Sequence, residues 1–304
     1  MLRLGILDFD SSHCVEFTRR LNGVGVSPDQ FVGGARVVLG APGTSAMAPE
    51  RAAQFTPLMK ECGVEIAEPE AVISGSDAVL VLSLCGGAHR ASVTPALKAG
   101  KPTFVDKPFA LTVADAREIL RLADEHQALL HYASGMRFCD ELLAVPASLA
   151  RWGSVHGAVS YGPAKHHPMN PGLFHYGIHA VEVLFTILGA GCESVSAAST
   201  EGADVVTGTW KDGRLGTVRG IRRGCTAYGA VIYCEHGVVP LSLSATNAYR
   251  NLLRALVRGF ETGTPLVPKQ VIVEEVAFVL AALESERRGG APVPLREIDP
   301  ALAC

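Results

Sequence analysis

Residues 99–110, Ala-Gly-Lys-Pro-Thr-Phe-Val-Asp-Lys-Pro-Phe-Ala, decide the fold of this chain. Gly100 ends a helix, because glycine readily takes the left-handed conformation that closes a helical C-terminus. Thr103-Phe104-Val105 is a β-rich run. Pro108 breaks it just after Lys107, since proline has no N–H to give a ladder. The pattern is helix, short buried strand, then a lysine at the strand's carboxyl end. In open α/β sheets, ligands bind beyond the carboxyl ends of the strands, so Lys107 is placed to meet one. The plainer alternative is a solvated lysine at a turn, and the neighbouring segments weigh against it.

Outward from this stretch, strand and helix alternate. Leu2–Leu7 is an apolar strand, and Ser11 or Ser12 can cap a helix with Val15, Phe17, Thr18 and Leu21 near one face. Asp10 is a third candidate for that cap. Strand Ala35–Leu39, a helix around Ala48–Cys62 and strand Val64–Ile66 follow. Ala78–Leu84 is a continuous apolar run, the signature of a strand buried on both faces. Helix His89–Ala99 leads into the opening stretch, and helix Val113–Glu125 and strand Ala128–Ala133 come after it. Such alternation implies right-handed crossovers and a parallel, doubly wound sheet. After about residue 150 the rhythm changes. Strand Ser154–Tyr161 and helix Gly172–Leu188 precede five strand-like runs at 193–199, 204–210, 215–220, 227–234 and 238–243, with a hairpin signal at Lys211-Asp-Gly-Arg214. Helices near Ala248–Thr262 and Val271–Arg287 close the chain. The expected architecture is a Rossmann-like doubly wound parallel sheet in residues 1–140, then a mostly antiparallel open sheet with packed helices in residues 141–304. Helix Asp140–Arg151 is assignable to either part.

With 304 residues, 48% hydrophobic and 19% charged, the chain can bury a substantial core. A net charge of −3 without a basic block argues against a nucleic-acid partner. The apolar start at Met1–Asp8 is too short for a signal peptide, and no apolar run reaches the length of a membrane span. The eight cysteines (14, 62, 85, 139, 192, 225, 234, 304) are scattered, with no Cys-x-x-Cys pair. They read as reduced, mostly buried thiols, which suits the cytoplasm.

Three segments carry a resemblance to a known family: Gly100-Lys-Pro-Thr-Phe-Val-Asp-Lys-Pro108, Tyr132-Ala-Ser-Gly-Met-Arg-Phe138, and Gly172-Leu-Phe-His-Tyr-Gly-Ile-His179. In order and spacing they resemble the Gfo/Idh/MocA oxidoreductases, the glucose–fructose oxidoreductase and inositol dehydrogenase family. The resemblance covers nearly the whole chain. It implies an N-terminal nucleotide-binding domain, a C-terminal α+β domain, and a site between them. It also implies hydride exchange between NAD or NADP and a carbon bearing a hydroxyl or carbonyl, on a sugar, cyclitol or related small polar substrate.

Besides the exchange at Asp106, the sequence departs from the family in three places. Asp106 stands in the Glu place of the Glu-Lys-Pro segment, but a larger change is at the first turn. There Asp8-Phe9-Asp10-Ser11-Ser12-His13 replaces the glycine-rich G-x-G-x-x-G, whose glycines let a backbone approach a pyrophosphate. Ionised Asp8 and Asp10 repel phosphate, whereas Ser11, Ser12 and a helix N-terminus can hold an anion. Strand Ala35–Leu39 is followed by Gly40-Ala-Pro-Gly-Thr44, with no acid for a ribose 2′-hydroxyl, so NAD and NADP both stay open. The third helix pattern carries His175 where the family usually has Asp, four residues before His179 and therefore on the same helical face.

Removing hydride from an alcohol needs a group to take the hydroxyl proton and a positive group near the oxygen. Lys107 is the candidate for the oxygen, His179 for the proton, and His175 orients His179 or touches substrate. Asp8, Asp10, Ser11, Ser12, His13, Ser83, Gly86, His89, Asp106 and Pro108 are the candidate cofactor contacts. Arg137, His166 and His167 are candidates for polar substrate groups, with Arg137 alternatively ordering the loop. Two other readings compete. Five of the ten histidines fall between residues 156 and 179, so a metal-dependent hydrolase or lyase using the His166–His179 cluster is one. A binding protein that has lost redox chemistry, prompted by the missing glycine turn, is the other. The second sheet's apolar residues Val231, Ile232 and Val239 suggest a face for a homo-oligomer, a dimer or tetramer. Trp152 and Trp210 read as packing residues.

Overall fold

A computed structural model describes residues 1–302. Cys304 lies outside the described residues. The chain forms two compact units, and the first is discontinuous: residues 1–110, 114–133 and 249–268. The second takes residues 111–113, 134–248 and those from 269 onward.

The first unit is built on strands β1 (Leu2–Leu7), β2 (Ala35–Ala41), β3 (Glu65–Ile66), β4 (Ala78–Val81), β5 (Thr103–Val105) and β6 (Leu130–Tyr132), with helices α1 (His13–Asn22), α2 (Arg51–Glu61), α3 (Pro69–Ser74), α4 (His89–Lys98) and α5 (Val113–Glu125) between them. The order is β3-β2-β1-β4-β5-β6 and every pairing is parallel. All four residues of β4 are buried, as a strand between β1 and β5 with both faces covered must be. The strand order reverses direction between β1 and β4, which opens a crevice at their carboxyl ends. Helix α3 had no strong sequence signal; Pro69 at its first turn, with φ preset for a helix, starts it.

The second unit begins with a 3₁₀ turn at Gly135–Phe138 and helices α6 (Asp140–Leu143) and α7 (Val145–Trp152). The single helix expected at 140–151 is thus two, because the chain restarts at Val145 with Pro146 in the first turn, where a missing N–H costs nothing. Strand β7 (Val155–Pro163), a 3₁₀ turn at Gly172–Phe174, helix α8 (Ile178–Leu188) and strands β8 (Cys192–Thr200), β9 (Ala203–Trp210), β10 (Leu215–Ile221), β11 (Tyr228–Cys234) and β12 (Gly237–Leu243) follow. Helix α9 (Ala248–Thr262) then enters the first unit, and α10 (Lys269–Arg287), β13 (Val293–Pro294) and α11 (Leu295–Ile298) complete the second. The seven strands run β12-β11-β7-β10-β9-β8-β13, antiparallel except for the β7–β10 pair. Trp210 is fully buried over Gly208 and Gly216, where an added Cβ would lie within 3 Å of its ring. Its indole N–H donates to the Gly189 carbonyl at 3.0 Å, and Phe185 and Phe278 pack around α8 and α10.

Two expectations change. Ile232 is wholly buried in the helix-covered core and Val239, directly across from it on β12, packs against that same core, while Val231 is partly exposed. Neighbouring strand residues point to opposite faces, so Ile232 and Val231 never shared the open face. His175 and His179 do not share a helix either. His175 follows the 3₁₀ turn with ψ −84°, and α8 starts only at Ile178. Gly177 lies so close to Leu173 that a Cβ would approach it to 2.5 Å, so the turn before α8 needs glycine there.

Helix α9 is fastened to the first unit through His131 on β6. Gly259 lets the helix come close: a Cβ there would sit 2.6 Å from the imidazole, and Phe260 meets the ring edge-on at 4.7 Å between centroids. Both ring nitrogens of His131 are buried without a hydrogen-bond partner among the described residues. Burial therefore pushes its pKa down from 6.5 to about 4. The unfolded chain binds a proton near 6.5, so stability falls as pH drops from there toward 4, by at most about 3 kcal/mol. We expect His131→Leu to melt higher than the wild type at pH 5, with the gap shrinking at pH 7.5. A gap independent of pH, read by thermal melts of both proteins, would contradict this burial.

Candidate functional site

At the carboxyl end of β1 the chain does not make a glycine turn. Asp8 takes a left-handed φ of 67°, uncommon for a non-glycine residue. Its N–H and that of Phe9 donate to the carbonyls of Ala41 and Pro42 at 3.0 and 2.9 Å. The Asp8 carboxylate accepts the Ser83 hydroxyl. A Cβ on Gly43 would fall 2.2 Å from that carboxylate, so the β2 loop closes on it and needs glycine there. Asp10 reaches the other way, its carboxylate accepting the Leu84 N–H at 2.9 Å. The loop is therefore laced to the ends of β2 and β4. Ser12 holds the N-cap position without a side-chain cap, and Ser11 Oγ accepts the His13 N–H at 3.3 Å instead. The serine cap expected from sequence is thus partial, and Asp10 does not supply it.

Two strands away, β5 delivers Asp106 and Lys107. Both are buried, Asp106 at 1% and Lys107 at 7% exposure, and the Lys107–Pro108 peptide bond is cis. Asp106 accepts from His13 Nδ1 at 2.6 Å, and His13 Nε2 meets the Tyr249 hydroxyl at 3.0 Å. The His13 ring stacks on Phe17, and Tyr249 stands edge-on to both. Burial raises the Asp106 carboxyl, but the charges of His13 and Lys107 and their hydrogen bonds outweigh it and hold the pKa well below the usual range. Asp106 is therefore an anion beside Lys107. His89, fully buried, sets its ring nitrogens on the carbonyls of Ser83 and Phe109, tying the β4 and β5 loops together.

In the second unit, His179 stands at the start of α8 with Nδ1 2.7 Å from Ser134 Oγ. Tyr176 and Tyr228 lie 6.2 and 6.0 Å from its ring. Burial pushes the Tyr228 hydroxyl up to about 12, so it stays a neutral phenol. His175 packs against Tyr176 and lies 5.5 Å from His167 between ring centroids. His166 is turned elsewhere, onto the buried Asp204 that also accepts Arg222 and Ser199. Among the described residues no three His, Cys, Asp or Glu are arranged to hold a metal ion. Arg137 is 9% exposed and directs its guanidinium onto Glu182, Glu275 and Thr186. Sequence reasoning missed Ser134, though it lies in a quoted segment, because no spacing ties it to His179. It also missed Tyr249, which is 236 residues from His13.

Comparison with known proteins adds to this geometry. Residues 44–134 match the Gfo/Idh/MocA model, described as an oxidoreductase family with an NAD-binding Rossmann fold. The first unit has the Rossmann fold, and the family match lies almost wholly within it. Over 51 residues the chain is 53% identical to an inositol 2-dehydrogenase of Cereibacter sphaeroides; this stretch spans 17% of the chain and 15% of that relative. Among solved structures, one described as a probable dehydrogenase from Thermotoga maritima superposes with a TM-score of 0.81 at 18% identity, over 98% of this chain and 100% of that one. The scyllo-inositol dehydrogenase of Lactobacillus casei, solved with NAD(H) and scyllo-inositol, gives 0.79 at 14% identity over 97% and 99%. At such identities the likeness is one of fold.

The β1 edge of this Rossmann unit fits a nucleotide's phosphates. Among the described residues the backbone N–H groups of Asp10, Ser11 and Ser12 have no partner, and they crown the N-terminus of α1, where an anion is favoured. The carboxylates that would oppose it are engaged with Ser83 and Leu84. Gly86 and Gly87 after β4 allow a second close backbone approach.

The Arg137 cluster yields a test. Two buried carboxylates share this guanidinium, and Glu182 Oε1 has no hydrogen-bond partner among the described residues. Arg137→Met leaves both charges uncompensated, so we expect a loss of about 3–5 kcal/mol in urea unfolding. Unchanged stability with a raised KM would instead return Arg137 to the substrate.

Proposed function

We propose that the protein is an NAD- or NADP-dependent oxidoreductase acting on a CH–OH or carbonyl carbon of a cyclitol, sugar or related polar substrate. The observation that carries this reading is Lys107, buried at the carboxyl end of β5 beside the ionised Asp106, within the segment that matches the family. The described likenesses to inositol dehydrogenases support a cyclitol as the first substrate to try.

The nicotinamide, when bound, takes or gives the hydride. The chain's own part is to hold the phosphates, orient the substrate oxygen and manage its proton. The N–H groups of residues 10–12 hold the phosphates. Lys107, beside the ionised Asp106, polarises the substrate oxygen, which develops negative charge as hydride moves. His179 is the candidate to take or give the substrate's proton at a ring nitrogen. His175 and His167 line the same edge of the second unit as His179 and are the reading's candidates for substrate hydroxyls. The chain's seven described cysteines are all free thiols, in keeping with a cytoplasmic setting. The partly exposed Val231 supports a homo-oligomer, which sedimentation at two concentrations reads directly.

Turnover of inositols and sugars with each nicotinamide nucleotide tests the proposal. We expect one pairing to turn over, and Lys107→Ala to lower kcat at least a hundredfold with circular dichroism unchanged. Near-normal kcat in that variant would remove Lys107 from the chemistry.

A further inference from the structure

The loop between β2 and α2 sets a cation against the turn that follows β1. Ser45 Oγ accepts the Ala48 N–H at 3.0 Å, and the Ala48 carbonyl accepts the Arg51 N–H at 3.1 Å. These bonds close the loop, and α2 starts at Arg51. The half-buried Arg51 side chain reaches the β1 turn, where its Nη1 donates to the Asp10 carbonyl at 3.2 Å. Among the described residues it is the one arginine or lysine side chain hydrogen-bonded to the Asp8–His13 turn, and it has no carboxylate partner. Its Nε and Nη2, the two nitrogens of the side-on fork, bond nothing among the described residues and reach solvent. A guanidinium with its fork open and no counter-ion matches a phosphate, which it can hold by two parallel hydrogen bonds.

Position decides which phosphate. In a doubly wound nucleotide site the pyrophosphate lies at the turn after β1 and the adenosine ribose lies toward the end of β2. There an acid receives the 2′-hydroxyl of NAD, or an arginine receives the 2′-phosphate of NADP. Arg51 spans these two places, since it follows the β2 loop in the chain and touches the turn after β1. Asp8 and Asp10 are already engaged with Ser83 and the Leu84 N–H, so neither is offered to a ribose hydroxyl. The one acid between β2 and Arg51 is Glu50, exposed at the N-cap of α2 and making no bond to the turn among the described residues. We propose that Arg51 is a specificity-determining residue that makes this chain prefer nucleotides carrying a 2′-phosphate, NADP(H) over NAD(H). The proposal rests on the function proposed above and sets this chain apart from the scyllo-inositol dehydrogenase of Lactobacillus casei, solved with NAD(H).

Calorimetric titration of the nucleotide-free full chain with NADP⁺, NAD⁺, adenosine 2′,5′-bisphosphate and 5′-AMP is the test. We expect NADP⁺ to bind at least about tenfold tighter than NAD⁺, and the bisphosphate to exceed 5′-AMP by a similar factor, so that the 2′-phosphate alone carries the preference. Arg51→Ala should bring both ratios within about threefold by weakening only the 2′-phosphorylated ligands, with circular dichroism unchanged. Arg51→Lys, which keeps the charge and loses the fork, should fall between. A wild-type protein that binds NAD⁺ as tightly as NADP⁺, or tighter, overturns the proposal and leaves the proposed function standing. So does an Arg51→Ala protein that keeps the wild-type ratios or weakens all four ligands alike, because Arg51 would then only brace the turn through Asp10. Binding of none of the four by the folded wild type overturns the proposed function and this preference with it.

Discussion

The buried carboxylate of Asp106 is the interaction on which the first unit's site depends. It sits at the end of a three-residue strand, almost without solvent, and burial alone would favour its neutral form. Two neighbours reverse that: His13 from α1 and Lys107 from its own chain. The same contact draws α1 toward β5 and, through Tyr249, engages helix α9. One charge thus fixes three elements and holds a lysine ready at the carboxyl edge of the sheet. A buried ion pair is a poor source of net stability, because desolvation offsets most of the attraction. Its value here is positional.

The β1 turn shows how a Rossmann edge can be rebuilt without its glycines. A glycine-rich turn lets the backbone itself meet a pyrophosphate. Here the turn is laced by side chains, with Asp8 and Asp10 holding it to the end of β4 and, through Gly43, to β2. Lacing removes the need for left-handed glycines except at Gly43, which moves that requirement to the facing loop. It also spends the two carboxylates that, left free, would repel phosphate. What remains for a ligand is the helix N-terminus and its N–H groups.

Much of this was legible in the sequence, for identifiable reasons. Strands β1 and β5 and helices α5 and α9 fall where apolar periodicity and glycine or proline stops put them, since those signals are local. Lys107 was legible because Pro108 and Gly100 bracket its strand. The contacts that give the site its character were not. Ser134 and His179 are 45 residues apart, and His13 and Asp106 are 93, so only the fold brings them together. The helix expected at 172–188 is interrupted at His175, whose ψ of −84° leaves the helical region, so α8 starts only at Ile178. The return of α9 to the first unit leaves no local mark at all. Arg137 read as a contact for a polar substrate group or as a residue that orders the loop; Glu182 and Glu275, which engage it, lie on two different helices that no local signal connects.

The central claim is that the Asp8–His13 edge holds a nicotinamide nucleotide without a glycine turn. Calorimetric titration of the folded protein, stripped of carried-over nucleotide, with NAD⁺, NADH, NADP⁺ and NADPH tests it most directly. The account predicts one-to-one micromolar binding of at least one of the four. Absence of binding by all four, in protein shown to be folded, would contradict it.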